Sequence, residues 1–338
     1  MSRIAAFLMV IVVMAGAVLA GNAEGTAKSY HVIHKYPLGG EGGWDYLTID
    51  SDARRLYIAR ATRVMVVDVD TGKLLGEIPN TQGVHGVALV PKRKQGYITC
   101  GGDNSAMIFD LATMKETARV KVGTRPDAIV YDPASDRVFT FNAGTKDTTA
   151  IATETGTVAG TVPLGGKPEA AVSDEKGHVF VNLEDKNEIV VIDSKNLTVK
   201  SRWPTAPGET AVGLAMDRAK NRLFCTCGNE KMVVLDAESG KVIATLPIGK
   251  GTDACVFDAD AKLAFSSNRD GTLTIVEEQS PGQYQVAINV PTQEGARTMA
   301  LDAKTHNIFL ATAKFKPAAA GQRRQVEPDS FVVLVVGK

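Results

Sequence analysis

The 338-residue chain has no net charge, with 38 Lys and Arg against 38 Asp and Glu. Binding to nucleic acid by counterion release relies on an excess of clustered bases, so this balance gives no general attraction to it, and a nucleic-acid partner is not expected. Cysteine is scarce: Cys100, Cys225, Cys227 and Cys255 are the whole set. No Cys-x-x-Cys-His haem motif is present, and no Cys/His set has zinc spacing. The spacing does not demand disulfides, and a buried free thiol is expected at Cys255, whose place other repeats fill with Leu47, Leu214 and Met299. Histidine is nearly as scarce, with five residues, and only His85 stands near other candidate site residues. His31 and His34, three apart on a strand, are expected on opposite faces, and His178 and His306 in solvated turns. Beyond the first twenty residues no run is apolar enough to span a bilayer.

Those first residues form a regime of their own. Arg3 precedes an apolar, small-residue run from Ile4 to Ala20, with Gly-Asn-Ala at 21–23 as a further exit site. A positive start, a short apolar core and small residues at the exit describe a secretory signal over residues 1–23. The expectation is an exported protein, periplasmic or secreted, whose mature part lacks a membrane span and is monomeric.

What the sequence has in abundance is self-similarity, the first thing to seek in a chain with 32 glycines. An anchor closing an apolar segment recurs as Asp50, Pro91, Asp132, Asp174, Asp217, Asp258 and Asp302, at intervals of 41 to 44 residues. Six or seven residues later stands one aromatic: Tyr57, Tyr97, Phe139, Phe180, Phe224, Phe265 and Phe309. Seven of the 18 Phe and Tyr residues thus share one register. Each unit carries four short alternating segments between Gly, Asp and Asn turns, the pattern of a four-stranded propeller blade. Blade three departs by placing Thr153 where other units carry an acid ending the third strand.

Two repeats end in Val158–Gly165 (VAGTVPLG) and Val242–Gly249 (VIATLPIG), and a related piece, His31–Gly39 (HVIHKYPLG), precedes the first repeat. The seventh repeat has three strand signals, the last at Phe331–Val336, and lacks the fourth. The expected architecture is all-β: residues 24–338 form one seven-bladed β-propeller with four-stranded blades. His31–Gly39 then acts as a clasp that closes the last blade, because an open ring would expose unpaired edges.

The anchor-plus-aromatic pairs, the turns at Thr71-Gly72-Lys73 and Ser239-Gly240-Lys241, the Pro-x-Gly blade ends and Gly-Gly-Trp-Asp-Tyr-Leu-Thr-Ile-Asp at 42–50 carry a family resemblance. The chain resembles the YVTN-repeat, or YncE-like, seven-bladed propellers over everything after the leader, although Tyr-Val-Thr-Asn itself is absent. The resemblance implies an exported or surface protein. It also implies similarity in fold to the propellers of lactonases, quinoprotein dehydrogenases and nitrous-oxide reductase.

In a propeller the innermost strand lines the channel, so residues just before it converge at the channel mouth. Five residues before each anchor stand Asp45, Gly86 beside His85, Asp127, Glu169, Val212, Asp253 and Arg297. Together with Trp44 these make a candidate ligand-binding ring. Oxygen-rich rings suit hard cations, so a divalent cation is a candidate cofactor with Asp127, Glu169 and Asp253 as its ligands. The plainer reading is that each acid caps a turn, and that Trp44 packs over the junction of blades one and seven. A long loop, Lys314–Ser330, hangs on the same face. Its plainer state is a solvated, disordered loop, while Lys314, Lys316, Arg323 and Arg324 with Arg60 and Arg63 could form a small basic patch.

No complete catalytic set is recognisable, and the catalytic residues are unknown. The first functional reading is a non-catalytic binding or scaffold protein acting through the mouth on an unidentified protein or small molecule. The alternative is a metal-assisted, lactonase-type hydrolase using the acidic ring. A redox accessory propeller is least supported, with no haem or Cys/His cluster.

Overall fold

The computed structural model describes residues 27–317 and 325–338. The secretory leader expected at 1–23 and the bases Arg323 and Arg324 lie outside the described residues. The strands form seven antiparallel sheets of four. Six are built from consecutive strands, here lettered A to D from the channel outward. Blade one, for example, runs Leu47–Asp50, Arg55–Arg60, Arg63–Asp68 and Leu74–Ile78. Each strand A packs against the strand A of both neighbouring blades, and Leu47–Asp50 of blade one meets Thr298–Asp302 of blade seven, which closes the ring. Among the described residues no helix is long and apolar enough to cross a membrane.

Blade seven closes as the sequence predicts. Its sheet order is Thr298–Asp302, Asn307–Thr312, Val332–Gly337 and then His31–Pro37 on the outside, paired from His31 opposite Gly337 to Pro37 opposite Val332. The clasp is fastened at both ends. Tyr30 packs edge-on against Phe265 of blade six, with ring centroids 5.6 Å apart. At the other end Arg60 is fully buried, and its Nη2 donates to the carbonyls of Gly39, Gly40 and Glu41 at 3.0–3.2 Å. Its guanidinium lies 3.8 Å from the centre of the Phe331 ring, a cation–π contact in a dry site. Burial, helped by the Arg63 charge, pushes its pKa down to about 10. Arg60 is therefore not part of a basic surface patch, and Arg63 is engaged with Glu77 at 2.7 Å.

The register aromatics are the core. Tyr57, Tyr97, Phe139, Phe180, Phe224, Phe265 and Phe309 are all at most 2% exposed. Each contributes on the order of 2–3 kcal/mol by burial. The anchors are turn caps, as the plainer chemistry of Asp predicts. Asp50, Asp217 and Asp258 each accept two backbone N–H bonds from the A–B turn through one oxygen. At blade three, register puts Ala152, not Thr153, at the place of the strand-C acid, opposite Arg137. Thr153 instead donates its hydroxyl to Asp136.

Two features lie beyond simple periodicity. The outer strand of every blade is bulged at the same level, with one residue left over at Ile33, Leu75, Thr117, Ala159, Lys200, Ile243 and Ala287. A bulge twists an edge strand and spoils it as a template for pairing. It also corrects the expectation for His31 and His34: with Ile33 bulged they oppose Gly337 and Val335 and share a face. Secondly, the aromatic of an outer strand covers the next blade's C–D turn. A Cβ at Gly72 would run into the Tyr36 ring and one at Gly240 into Trp203, and both glycines have φ near +71°.

Candidate functional site

The ring positions are set by a second series of bulges. Where strand A begins, two residues oppose one on strand B between Val84 and Val87, Pro126 and Ile129, and Pro168 and Ala171; one residue is extra at Val212 and at Asp253. His85, Asp127, Glu169 and Asp253 sit on these irregularities, which turn side chains out of the alternating pattern. Strand-B hydroxyls knit the level together: Thr99 donates to the carbonyl of Asp127 at 2.6 Å, and Ser267 to that of Arg297.

The mouth brings the predicted residues into three pairings. His85 Nδ1 stands 2.6 Å from Asp45 Oδ2 and 3.5 Å from Asp127 Oδ1. Arg297 Nη1 donates to Asp253 Oδ2 at 2.5 Å and its Nη2 to the carbonyl of Trp44 at 2.9 Å, while Arg269 reaches Asp253 at 3.4 Å. Glu169 lies 3.2 Å from the Lys167 ammonium, which also binds Glu184. Of the three proposed cation ligands, Glu169 and Asp253 thus face cationic side chains. The potential ligand atoms that gather, within 4.8 Å of one another, belong to Asp45, His85 and Asp127.

Tyr46, which the spacing argument does not place in the ring, reaches into its middle. Its hydroxyl donates to the carbonyl of Glu169 at 3.3 Å, so one side chain of blade one reaches blade four across the channel. Burial first, then Asp127, Glu169, Asp45 and Asp253, raise its phenol pKa well above the usual value. Below it the channel is a cavity of about 170 Å³ lined mainly by small and apolar residues such as Ala128, Ala171 and Gly213.

Crowded acids behave as like charges in a poorly solvated place must. Burial raises Asp127 to about 6, with Asp45 and Asp253 adding to it against His85. Burial and Asp127 raise Glu169 to about 7 against the opposing Lys167. Burial alone would lower the His85 pKa, but the hydrogen bond to Asp45 and the fields of Asp127 and Glu169 outweigh it, and the net shift is upward.

Beside this ring lies a cavity of about 630 Å³, lined by Asp45, Arg269 and Arg297 and by Trp44 and Phe315 as aromatic walls. Trp44 is 8% exposed and packs on Phe331 at 5.4 Å and Phe315 at 6.2 Å, so it both seals the blade-one/blade-seven junction and backs the cavity. Phe315 belongs to the 314–330 loop, whose base departs from the disordered expectation. Phe315 bridges Val326, Lys316 N–H donates to the Gln325 carbonyl at 2.8 Å and Glu327 N–H to that of Lys314 at 2.9 Å.

The far-face histidines are more engaged than solvated turns would be. His178 binds Asp174 and His306 binds Asp258, each at 2.8 Å. All four cysteines are free and buried.

Fold and mouth together define a seven-bladed β-propeller with a polar ring and an aromatic-walled cavity on one face. No family model and no curated protein matches the chain. Solved structures do. A chain of Kuenenia stuttgartiensis hydrazine synthase is 17% identical with a TM-score of 0.70, over 79% of this chain and 92% of that one. The RRP9 WD40 repeats (9% identity, TM-score 0.73, covering 92% of this chain and 98% of that one) and U3-55K (9%, 0.72, 91% and 99%) are also similar. At such identities the likeness is one of fold.

Proposed function

We propose that this chain is an exported, YncE-like propeller that binds a protein segment or small molecule at the channel mouth without transforming it. The observation that carries this reading is the 630 Å³ cavity, in which Trp44 and Phe315 offer an apolar wall and Arg297 and Asp45 a polar edge. Few convergent polar groups beside an aromatic wall are the usual make-up of a ligand site. Export rests on Arg3 and the apolar run from Ile4 to Ala20. The fluorescence of Trp44, isolated by Trp203→Phe, would report binding from a panel of peptides and small polar molecules. Ligands lost on Arg297→Ala support the reading. A panel whose every binder is indifferent to Arg297→Ala and Asp45→Asn would sink it.

A second reading, metal-assisted hydrolysis of a lactone-type substrate, draws on the approach of Asp45, His85 and Asp127. Two carboxylates and an imidazole suit a divalent ion that polarises a carbonyl. Elemental analysis of the purified protein beside its Asp127→Ala variant, with a lactone turnover assay, decides it. Absence of both stoichiometric metal and turnover ends this reading.

A further inference from the structure

The seven blade junctions are not filled alike on the face opposite the mouth. In blade one, Arg54, the left-handed residue before strand B, reaches back to the anchor carboxylate of blade seven and binds Asp302 at 2.8 Å. In blade seven the equivalent His306 reaches the anchor of blade six, Asp258, at 2.8 Å. In blade five the equivalent is Asn221, which is too short to bridge and instead donates to Glu238 of its own blade at 2.8 Å. Between blades four and five a cavity of about 340 Å³ is left.

What lines that gap is not inert filler. Trp203 forms one wall, backed by Phe180 at 5.9 Å between ring centroids, and Met216 lies on the blade-five side. At the rim His178 Nδ1 meets Asp174 at 2.8 Å, and Lys200 Nζ lies 2.8 Å from His178 Nε2. Asp174 is a carboxylate whose Oδ1 also accepts the backbone N–H groups of Lys176 and His178, so its Oδ2 holds the imidazole proton on Nδ1. Nε2 is then the acceptor for Lys200. The imidazole steers the exposed ammonium over the cavity and leaves it two further N–H donors. Lys200 is placed there by the outer-strand bulge, three residues before Trp203 on the same strand.

We propose that this junction is a second ligand site, separate from the mouth, for a small planar organic anion of the aromatic carboxylate class. The ring would pack against the part of Trp203 that lines the cavity, and the carboxylate would accept from Lys200. An aromatic wall selects a planar apolar body, and an ammonium with free donors selects the anionic end.

Benzoate is the probe, titrated calorimetrically and by the fluorescence of Trp203 in a Trp44→Phe background, with benzamide as neutral isostere and cyclohexanecarboxylate as non-planar acid. Benzoate is expected to bind best and to quench Trp203. Lys200→Gln should weaken it about tenfold, the scale of one charge-assisted hydrogen bond, and leave benzamide unchanged. Asn221→Arg gives blade five the side chain that fills the blade-one junction. It should abolish binding while the protein melts at or above the wild-type temperature, which separates loss of the site from loss of the fold. Arg297→Ala, at the mouth, should leave benzoate binding untouched. Failure of benzoate to bind at millimolar concentration overturns the proposal, as does binding that survives Asn221→Arg or that follows Arg297 instead of Lys200.

Discussion

The two faces of the ring treat the same residue type in opposite ways. On the far face, aspartates are structural: Asp258 accepts two backbone N–H bonds and the His306 ring, and is 2% exposed. At the mouth, Asp45, Asp127 and Asp253 meet other side chains instead, and those partners differ from blade to blade. At the anchors the far face repeats one residue type in six of seven blades, Pro91 being the exception, whereas the mouth ranges from Asp45 to Val212 and Arg297. Near-repetition is what a turn requires. Variation around a fixed frame is what a ligand of irregular shape requires.

The largest expected effect tests the frame that both faces share. Removal of residues 31–39 strips the outer strand from Val332–Gly337 and takes away the carbonyls that hold the buried Arg60. Because a ring cannot lose one edge without opening, the loss is expected on the scale of the whole stability, about 5–15 kcal/mol, and not as fraying of one blade. A truncated protein with the calorimetric profile of the intact one would break the clasp argument. Next in size is the contrast between faces. Asp258→Ala leaves two backbone donors and His306 without a buried acceptor and should cost about 2–4 kcal/mol in urea unfolding. Asp45→Asn keeps an acceptor for His85 and relieves repulsion from Asp127, so about 1 kcal/mol or less is expected. Equal costs would erase the distinction between the faces.

The frame was legible because it is periodic. One aromatic and one anchor per 41 to 44 residues is a signal in sequence spacing, and Tyr57 through Phe309 are buried where the register puts them. The ring of Asp45, His85, Asp127, Glu169, Asp253 and Arg297 was legible for the same reason, since convergence follows from the repeat. What periodicity does not encode is reach. Tyr46 crossing to Glu169, Arg60 turning inward beneath Gly39–Glu41, and Lys200 folding onto His178 all depend on long side chains choosing among partners that only the folded ring brings close or that a bulge turns toward them. Bulges escape for a different reason: an extra residue at Ile33 or Lys200 shifts the face pattern without leaving a mark in composition. The gap at Asn221 shows only when one junction is set beside another.

The smallest effect has the opposite sign to the others and is the sharpest test of the mouth. Burial and Asp127 hold the Glu169 carboxyl at about 7 in the folded ring, against 4.5 for an ordinary glutamate. Between those two values the folded protein binds a proton that the unfolded chain releases, so stability declines as pH rises through the window. Below about 4.5 both states are protonated and this cost vanishes; above about 7 the folded protein carries it in full. Glu169→Gln mimics the protonated group at every pH. Urea unfolding of both proteins in EDTA should therefore show no difference at pH 4.5 and a variant more stable by about 1–2 kcal/mol at pH 8.5. The shift alone, at about 1.4 kcal/mol per unit and with the opposing pull of Lys167 already counted in it, sets an upper bound roughly twice that. A variant less stable than wild type at pH 8.5 would mean that Lys167 outweighs burial, and that Glu169 belongs with the structural acids of the far face.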